Sequence, residues 1–193
     1  MAFTDAFTDT NGTALENHGT KWVNVQGGAD SADIQTNQYN TFAGGVAVYR
    51  YNDTFAAAQY AKATLKNSTG SPGVAVRAQS GAASCYYSIQ DGGAGKVFNG
   101  ELIAGSATDW DSGLTIASTN DVIELASDSG TTTTFYYKVN GSTIATYTGK
   151  SALSGGQGGV SGAGSGGRLD DWEGGDVTGV TGRRFQKASI VGV

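Results

Sequence analysis

Residues 135–147 read Phe135-Tyr136-Tyr137-Lys138-Val139-Asn140-Gly141-Ser142-Thr143-Ile144-Ala145-Thr146-Tyr147. Two runs rich in aromatic and β-branched residues flank the pair Asn140-Gly141, and both members of that pair tolerate a positive φ. A type I′ turn requires such a pair, so the stretch predicts a β-hairpin. A two-residue loop then places Tyr137 opposite Ile144. We expect one apolar face made of Phe135, Tyr137, Val139 and Ile144.

The same alternation of apolar and polar residues recurs along the chain, between clusters of Gly, Asn and Asp. In residues 60–66, for example, Ala61, Ala63 and Leu65 share one face of a predicted strand. Further strands are predicted at 21–26, 45–50, 84–90, 96–104 and 121–127. With the first and last strands the total is about ten to thirteen, which favours an all-β, two-sheet antiparallel sandwich.

The composition excludes several classes of protein. The chain has 193 residues, of which 31 are Gly and 15% are charged, and its net charge is −5. This composition excludes a helical bundle and a disordered chain. An acidic surface repels phosphate backbones and anionic headgroups, so we expect no nucleic-acid partner. The single cysteine, Cys85, lies in an apolar alternating run and is expected to be a buried, inert thiol.

The sequence also allows predictions about targeting, about a Gly-rich stretch and about the C-terminal segment. Its opening lacks the basic and apolar regions of a signal peptide, and no stretch approaches about 18 apolar residues, so no membrane partner is expected. Residues 154–167 are mostly Gly, Ser and Ala, which indicates either a flexible linker or, as we prefer, a strand with tight bends. Residues 177–193 are basic and apolar. They are predicted to lie outside a sandwich formed by residues 1–176.

Both ends of that sandwich resemble a known family. Phe3-Thr4-Asp5-Ala6-Phe7, followed by Gly12, Leu15 and Trp22, resembles the opening strand of concanavalin A-like lectin/glucanase (LamG-type) jelly-roll domains. The stretch from Leu169 to Asp176 resembles their closing strand. The likeness covers roughly residues 3 to 176 and implies fold better than ligand.

The resemblance implies two antiparallel sheets, one of them concave, with the first and last strands side by side. Asp5 and Asp170 are then polar groups suited to tying the chain ends together, with Phe7 and Trp172 covering the core. Domains of this type that lack signal peptides are common among tailed-phage virion proteins.

Enzymatic chemistry is not expected. The glucanase branch of the family carries Glu-x-Asp-x-x-Glu on one strand, and the sequence has no such spacing. The only histidine, His18, lies in a polar stretch without a Gly-x-Ser-x-Gly elbow, so we expect it in a surface turn and not as a general base.

No cofactor is predicted, and calcium is the one alternative that the residues leave open. One cysteine and one histidine exclude the usual zinc ligand sets. Asp109 and Asp111 are the best candidate ligands for Ca²⁺, and Asp30 and Asp33 come next. Isolated acidic pairs more commonly cap turns through nearby backbone groups.

Carbohydrate binding requires an exposed aromatic ring beside planar hydrogen-bonding groups. Trp110 is the best candidate because it lies in a polar stretch between Asp109 and Asp111. Tyr87, or its neighbour Tyr86 on the opposite face, supplies a second ring, and Arg77 a donor to sugar hydroxyls. The alternative is that Trp110 packs over an open edge of the sandwich.

These observations favour a non-catalytic virion surface protein, either a capsid decoration or a fibre-type adhesin, that binds glycans weakly and in many copies. Its expected partners are capsid or tail proteins, with Arg183, Arg184 and Lys187 as a docking arm or, equally, a solvated terminus. Two alternatives stay open: a carbohydrate-binding module of a cell-surface glycan system and, more remotely, a glycoside hydrolase.

Overall fold

The computed structural model describes residues 1–27, 32–41, 46–129, 133–150 and 153–177. The described residues form fifteen strands and one short 3₁₀ helix, Leu15–Asn17. The first eight strands are β1 (Ala2–Asp5), β2 (Trp22–Gln26), β3 (Ala32–Ile34), β4 (Tyr39–Thr41), β5 (Ala47–Tyr51), β6 (Gln59–Asn67), β7 (Pro72–Ala78) and β8 (Cys85–Asp91). The others are β9 (Lys96–Ile103), β10 (Ser106–Thr115), β11 (Val122–Ser127), β12 (Phe135–Val139), β13 (Ser142–Tyr147), β14 (Gln157–Gly162) and β15 (Arg168–Asp176).

Two antiparallel sheets pack face to face. One has eight strands in the order β13-β12-β11-β6-β15-β4-β3, with β1 paired to β15, and the other has seven in the order β10-β9-β8-β7-β14-β5-β2. The predicted all-β jelly-roll sandwich is therefore confirmed. The strand total exceeds the expected range, in part because β3 and β4 are three residues long and leave almost no periodic signal.

The first and last strands lie side by side, as the resemblance implied. Phe3 is opposite Gly174 and Asp5 is opposite Trp172. Phe7 and Trp172 are both fully buried, and Trp22 contacts both rings, with centroid distances of 5.7 Å and 5.0 Å. This aromatic cluster closes one end of the core. Asp5 holds it in place by accepting a 2.7 Å hydrogen bond from Trp22 Nε1.

The residues around β1 correct one expectation. His18 was expected in a surface turn, but it is only 8% exposed. Its Nε2 lies 2.9 Å from Asp5 Oδ1 and its Nδ1 lies 3.1 Å from Asp9 Oδ2. Two carboxylates thus hold the ring against the chain's first turn. Asp170 was the other residue expected to join the chain ends. Its Oδ2 instead lies 3.9 Å from Lys66 Nζ on β6.

The hairpin has the predicted turn but not the whole predicted register. Asn140 and Gly141 have φ values of 49° and 77°, as a type I′ turn requires. A bulge then shifts the pairing, so that Tyr137 faces Ala145. Ile144 is skipped and is 50% exposed, and the predicted place of Ile144 in the apolar face is wrong. Phe135 and Tyr137 are fully buried, as expected.

Other predictions from the alternation pattern hold. Residues 59–66 of β6 alternate between buried and half-buried, with Ala61, Ala63 and Leu65 inside. The Gly-rich stretch contains a strand, β14, which supports the preferred interpretation over the linker. Cys85 is buried, and burial raises the pKa of its thiol to about 12, as expected for an inert cysteine. Among the described residues, no helix is long and apolar enough to cross a membrane.

Candidate functional site

The outer face of the seven-stranded sheet carries its own hydrophobic cluster, separate from the core between the sheets. Alternation along β8 sends Tyr86 into the core and Tyr87 and Ile89 to the outer face. Leu102 of β9 and Ala75 of β7 join the outer cluster. The side chains of this cluster bury one another. Two of them, Tyr87 and Ile89, also line a hollow on this face.

Three residues in register form a row across this face. Tyr87 on β8 is opposite Gly100 on β9, and Gly100 is opposite Asp109 on β10. The Tyr87 hydroxyl donates a 2.6 Å hydrogen bond to Asp109 Oδ1. A Cβ at Gly100 would lie 2.6 Å from the Tyr87 hydroxyl oxygen. The missing side chain at Gly100 therefore lets the Tyr87 phenol cross β9 and fix the orientation of the Asp109 carboxylate.

A hollow of about 260 Å³ opens beside this row. Its lining includes the aromatic ring of Phe98, which is half-buried, and the carboxylate of Asp109, which is exposed. The remaining walls come from Val46, Ser71, Tyr87, Ile89, Asp91, Ala107 and Ala163. Apolar walls with a few convergent polar groups are the usual composition of a small-molecule site.

The charges of the hollow are both negative. Asp91 Oδ1 accepts a hydrogen bond from the backbone N–H of Ala94, which uses part of that carboxylate to shape the β8–β9 turn. Asp109 accepts from Tyr87 and keeps an exposed position at the rim. Burial and the bond to Asp109 together raise the pKa of the Tyr87 hydroxyl, so it stays a donor. The arrangement suits a ligand that presents hydroxyl donors and an apolar ring face.

The two carboxylates of the hollow are too far apart for glycoside hydrolysis. Asp91 lies four residues along β8 from Tyr87, and Asp109 lies two strands from β8 at the level of Tyr87. At about 3.3 Å per residue and 4.8 Å per strand, their Cα atoms are roughly 16 Å apart, and since an aspartate carboxyl carbon lies only about 2.5 Å from its Cα, the two carboxyl groups are at least about 11 Å apart. Carboxyl pairs that cleave glycosidic bonds are separated by about 5 to 9.5 Å.

The structure divides the predicted binding residues between two faces. Tyr87 and Asp109 meet on the outer face, but the Tyr87 ring is 3% exposed and offers its hydroxyl in place of a stacking surface. Trp110 and Asp111 point toward the core side. The Trp110 ring lies 5.0 Å from Phe135 and 5.1 Å from Tyr147, and Asp111 accepts a hydrogen bond from the Tyr147 hydroxyl. This placement agrees with the alternative stated from the sequence, in which Trp110 packs over an edge of the sandwich.

Arg77 is also separated from the hollow. It is 4% exposed and donates to the backbone carbonyls of Ala57, Asp128 and Leu153. Burial lowers the pKa of its guanidinium. These bonds tie three loops to the end of β7. The binding roles of Arg77 and Trp110 stay predictions, and the geometry gives both residues a structural place.

The candidate calcium ligands do not converge. Asp109 and Asp111 lie on opposite faces of the sheet, and Asp33 is buried, with its two oxygens accepting from Gln35 and Asn40. Among the described residues, no group of three or more His, Cys, Asp or Glu side chains is placed to hold a metal. Asp30 and the docking candidates Arg183, Arg184 and Lys187 lie outside the described residues.

Sequence reasoning missed Phe98 and Gly100. The signal was present in β9, where Phe98, Gly100 and Leu102 alternate with Val97, Asn99 and Glu101. That alternation places Phe98 and Gly100 on one face, but it does not say which face, nor which strands lie on either side. The strand register, which places Gly100 between Tyr87 and Asp109, is what brings the residues of the site together.

Solved structures share this fold at low sequence identity. Carbohydrate binding module CBM66 from Bacillus subtilis is 16% identical with a TM-score of 0.57, covering 81% of this chain and 92% of its own. A prokaryotic β-1,3-1,4-glucanase (lichenase) from a mouse hindgut metagenome is 12% identical with a TM-score of 0.58, covering 91% and 98%. The carbohydrate recognition domain of Emp46p is 10% identical with a TM-score of 0.54, covering 89% and 94%.

No protein-family model and no curated protein matches the sequence. The structural neighbours include a binding module, a recognition domain and glucanases, so the fold alone does not separate binding from catalysis. None of them bears on a phage particle. The chain has the concanavalin A-like jelly-roll fold that these carbohydrate-binding and glucan-cleaving proteins share.

Proposed function

We propose that the protein is a non-catalytic saccharide-binding module whose site is the hollow on the outer face of the seven-stranded sheet. The observation that carries the proposal is the Asp109 carboxylate, held by Tyr87 beside the half-buried ring of Phe98. A carboxylate accepts from sugar hydroxyls, and an aromatic ring packs against the apolar face of a sugar. The neighbours that bind carbohydrate support this class of ligand.

The wide separation of Asp91 and Asp109 supports binding without cleavage. The hollow is small and shallow, which suits one sugar unit bound with an affinity of about millimolar. Such a site becomes effective when many copies act together. The virion surface, in a capsid decoration or a fibre-type adhesin, is the setting we propose for that display, on the strength of the family resemblance alone.

A glycan array probed with an artificially multimerised form of the chain tests the proposal. We expect retention of a small set of saccharides by the wild type and loss of retention in Asp109→Ala and in Phe98→Ala. Asp53→Ala is the matched control, because Asp53 pairs with Lys21 in a different part of the molecule. Binding to no saccharide, or binding that survives both site variants, would overturn the proposed site.

Catalysis and particle assembly need separate measurements. Incubation of the purified chain with β-1,3-1,4-glucan should release no reducing ends, and measurable turnover would replace the binding proposal with a hydrolase. Co-purification with capsid or tail proteins tests the virion setting. If the protein does not co-purify with any capsid or tail protein, the virion part of the proposal is wrong, while the binding part stands.

A further inference from the structure

The outer face of the eight-stranded sheet carries a row of alternating charges. Lys138, Glu124, Lys62 and Glu173 lie on the adjacent strands β12, β11, β6 and β15, and each is in register with the next. Lys138 Nζ lies 2.6 Å from Glu124 Oε1, and Lys62 Nζ lies 3.0 Å from Glu173 Oε1. Across the sheet the signs therefore run plus, minus, plus, minus.

A second row on the same face, two residues along each strand, alternates in side-chain size. Tyr136, Ala126, Tyr60 and Gly175 lie on the same four strands and are again in register. Large side chains thus alternate with small ones. A hollow of about 290 Å³ borders Tyr136 and Ala126, and another of about 490 Å³ borders Tyr60. Residues of both rows therefore line these two hollows in the sheet surface.

Both rows are complementary to themselves under one symmetry operation. A two-fold axis parallel to the strands, between β11 and β6, turns a second copy over onto this face. It places Lys138 over Glu173 of that copy and Glu124 over Lys62, so every charge meets its opposite. The same axis places Tyr136 over Gly175 and Tyr60 over Ala126, so every large side chain meets a small one.

We propose that this face is the interface of a symmetric homodimer. In such an isologous contact a residue and its partner exchange places in the two copies, which is the relationship that the two rows satisfy. The two sheets would stack at the distance and small angle of aligned sheet packing. Each lysine of the charged row would then lie between carboxylates of its own sheet and of the other copy.

The available area suits a weak dimer. Six adjacent strands, β13, β12, β11, β6, β15 and β1, span this part of the face. At about 4.8 Å per strand and about 17 Å of strand length, the face measures on the order of 500 Å² per copy, near the lower limit for a specific interface. The opposite face, with the Asp109 hollow, stays free in both copies, so the dimer would present two sites on opposite sides.

Sedimentation of the full chain over a concentration series tests the proposal. We expect the wild type to dimerise, and Glu124→Lys and Lys62→Glu each to weaken dimerisation by at least about tenfold, because each places two like charges opposite each other at the centre of the interface. An equimolar mixture of the two variants should dimerise again, since Lys at 124 in one copy then faces Glu at 62 in the other. A purely structural role for these residues would give no such rescue.

The control is Lys66→Glu, on the same strand and the same face but outside the row, which should dimerise like the wild type. Circular dichroism establishes that each variant is folded. If a reversed charge prevents folding, Glu124→Gln and Lys62→Gln take its place and should weaken dimerisation without rescue on mixing. A monomeric wild type at about millimolar concentration, or a dimer that ignores Glu124→Lys, would overturn the proposal.

Discussion

His18 and Asp5 are joined by a contact of 2.9 Å, and the second ring nitrogen of His18 lies 3.1 Å from Asp9. Both nitrogens can face carboxylates favourably only when both carry protons, so the contact favours the imidazolium. Because Asp5 also accepts from Trp22 Nε1 and from the backbone N–H of Phe7, the protonation of one ring bears on the packing of the aromatic cluster at the β1–β15 edge.

Stability should therefore depend on pH through His18. Burial lowers the pKa of this ring, but the hydrogen bonds to Asp5 and Asp9 outweigh burial and raise the pKa above its usual 6.5. A group whose pKa is raised on folding contributes stability that is fully present below its unfolded pKa and is lost as the pH rises through its folded pKa. We expect the free energy of unfolding to contain a component that declines above about pH 6.5.

Chemical denaturation from pH 5.5 to 9 measures this component, with His18→Gln as the control that cannot titrate. The difference between wild type and His18→Gln should shrink as the pH rises. A difference that stays constant across the series would show that the ring acts by packing alone.

Gly100 should tolerate no side chain. In Gly100→Ala the new Cβ would meet the Tyr87 hydroxyl at 2.6 Å and the backbone carbonyl oxygen of Thr108 at 2.5 Å. We expect a loss of about 1 to 3 kcal/mol in the free energy of unfolding, as in other overpacked sites, together with weaker saccharide binding. Gly113→Ala on β10, where nothing lies within 4 Å of the added Cβ, is the matched control. Equal effects of the two substitutions would contradict the close approach.

Arg77 should matter for folding and not for ligand affinity. Arg77→Met removes the donors to the carbonyls of Ala57, Asp128 and Leu153. These acceptors are only partly buried, and the Ala57 carbonyl keeps a 3.4 Å hydrogen bond from Ser127 Oγ, so the free energy of unfolding should fall by about 1 to 3 kcal/mol. Saccharide affinity, measured on the folded fraction, should stay unchanged. Reduced affinity with unchanged stability would restore Arg77 as a sugar donor.

The bulge in the β12–β13 hairpin predicts opposite sensitivities for two isoleucines. Ile144 is 50% exposed, and Ile144→Ala should change the free energy of unfolding by less than about 0.5 kcal/mol. Ile123 is fully buried, and Ile123→Ala should cost about 2 to 5 kcal/mol. Thermal and chemical denaturation of the two variants tests this pair. A large loss in Ile144→Ala would mean that the predicted regular register is the true one.

The alternation along single strands was enough to predict much of the sandwich. Ala61, Ala63 and Leu65 had to share a face because side chains alternate with a period of two, and Asn140-Gly141 had to form a tight turn because both residues accept a positive φ. The pairing of the chain ends followed from the family resemblance. These are local properties of the chain, or properties of the whole family, and they do not depend on which strands are neighbours.

The site itself depended on neighbours. Tyr87, Gly100 and Asp109 are spread over 23 positions of the chain and meet because β8, β9 and β10 pair in one particular register. The same register turned Trp110 toward Phe135, away from the outer face that Asp109 occupies. Sequence periodicity assigns a residue to one of two faces but leaves open which face is outside.

The amino-acid sequence by itself determined that the chain alternates, turns and closes as a two-layer β structure, because those properties follow from side-chain spacing and backbone preference. Only the tertiary structure decided that His18 is enclosed by two carboxylates, that a bulge expels Ile144, and that Lys138, Glu124, Lys62 and Glu173 form one row. The charged row joins strands that are distant in the sequence, whereas the His18 contacts and the bulge join nearby segments, and all three depend on register and burial that alternation along a single strand does not contain.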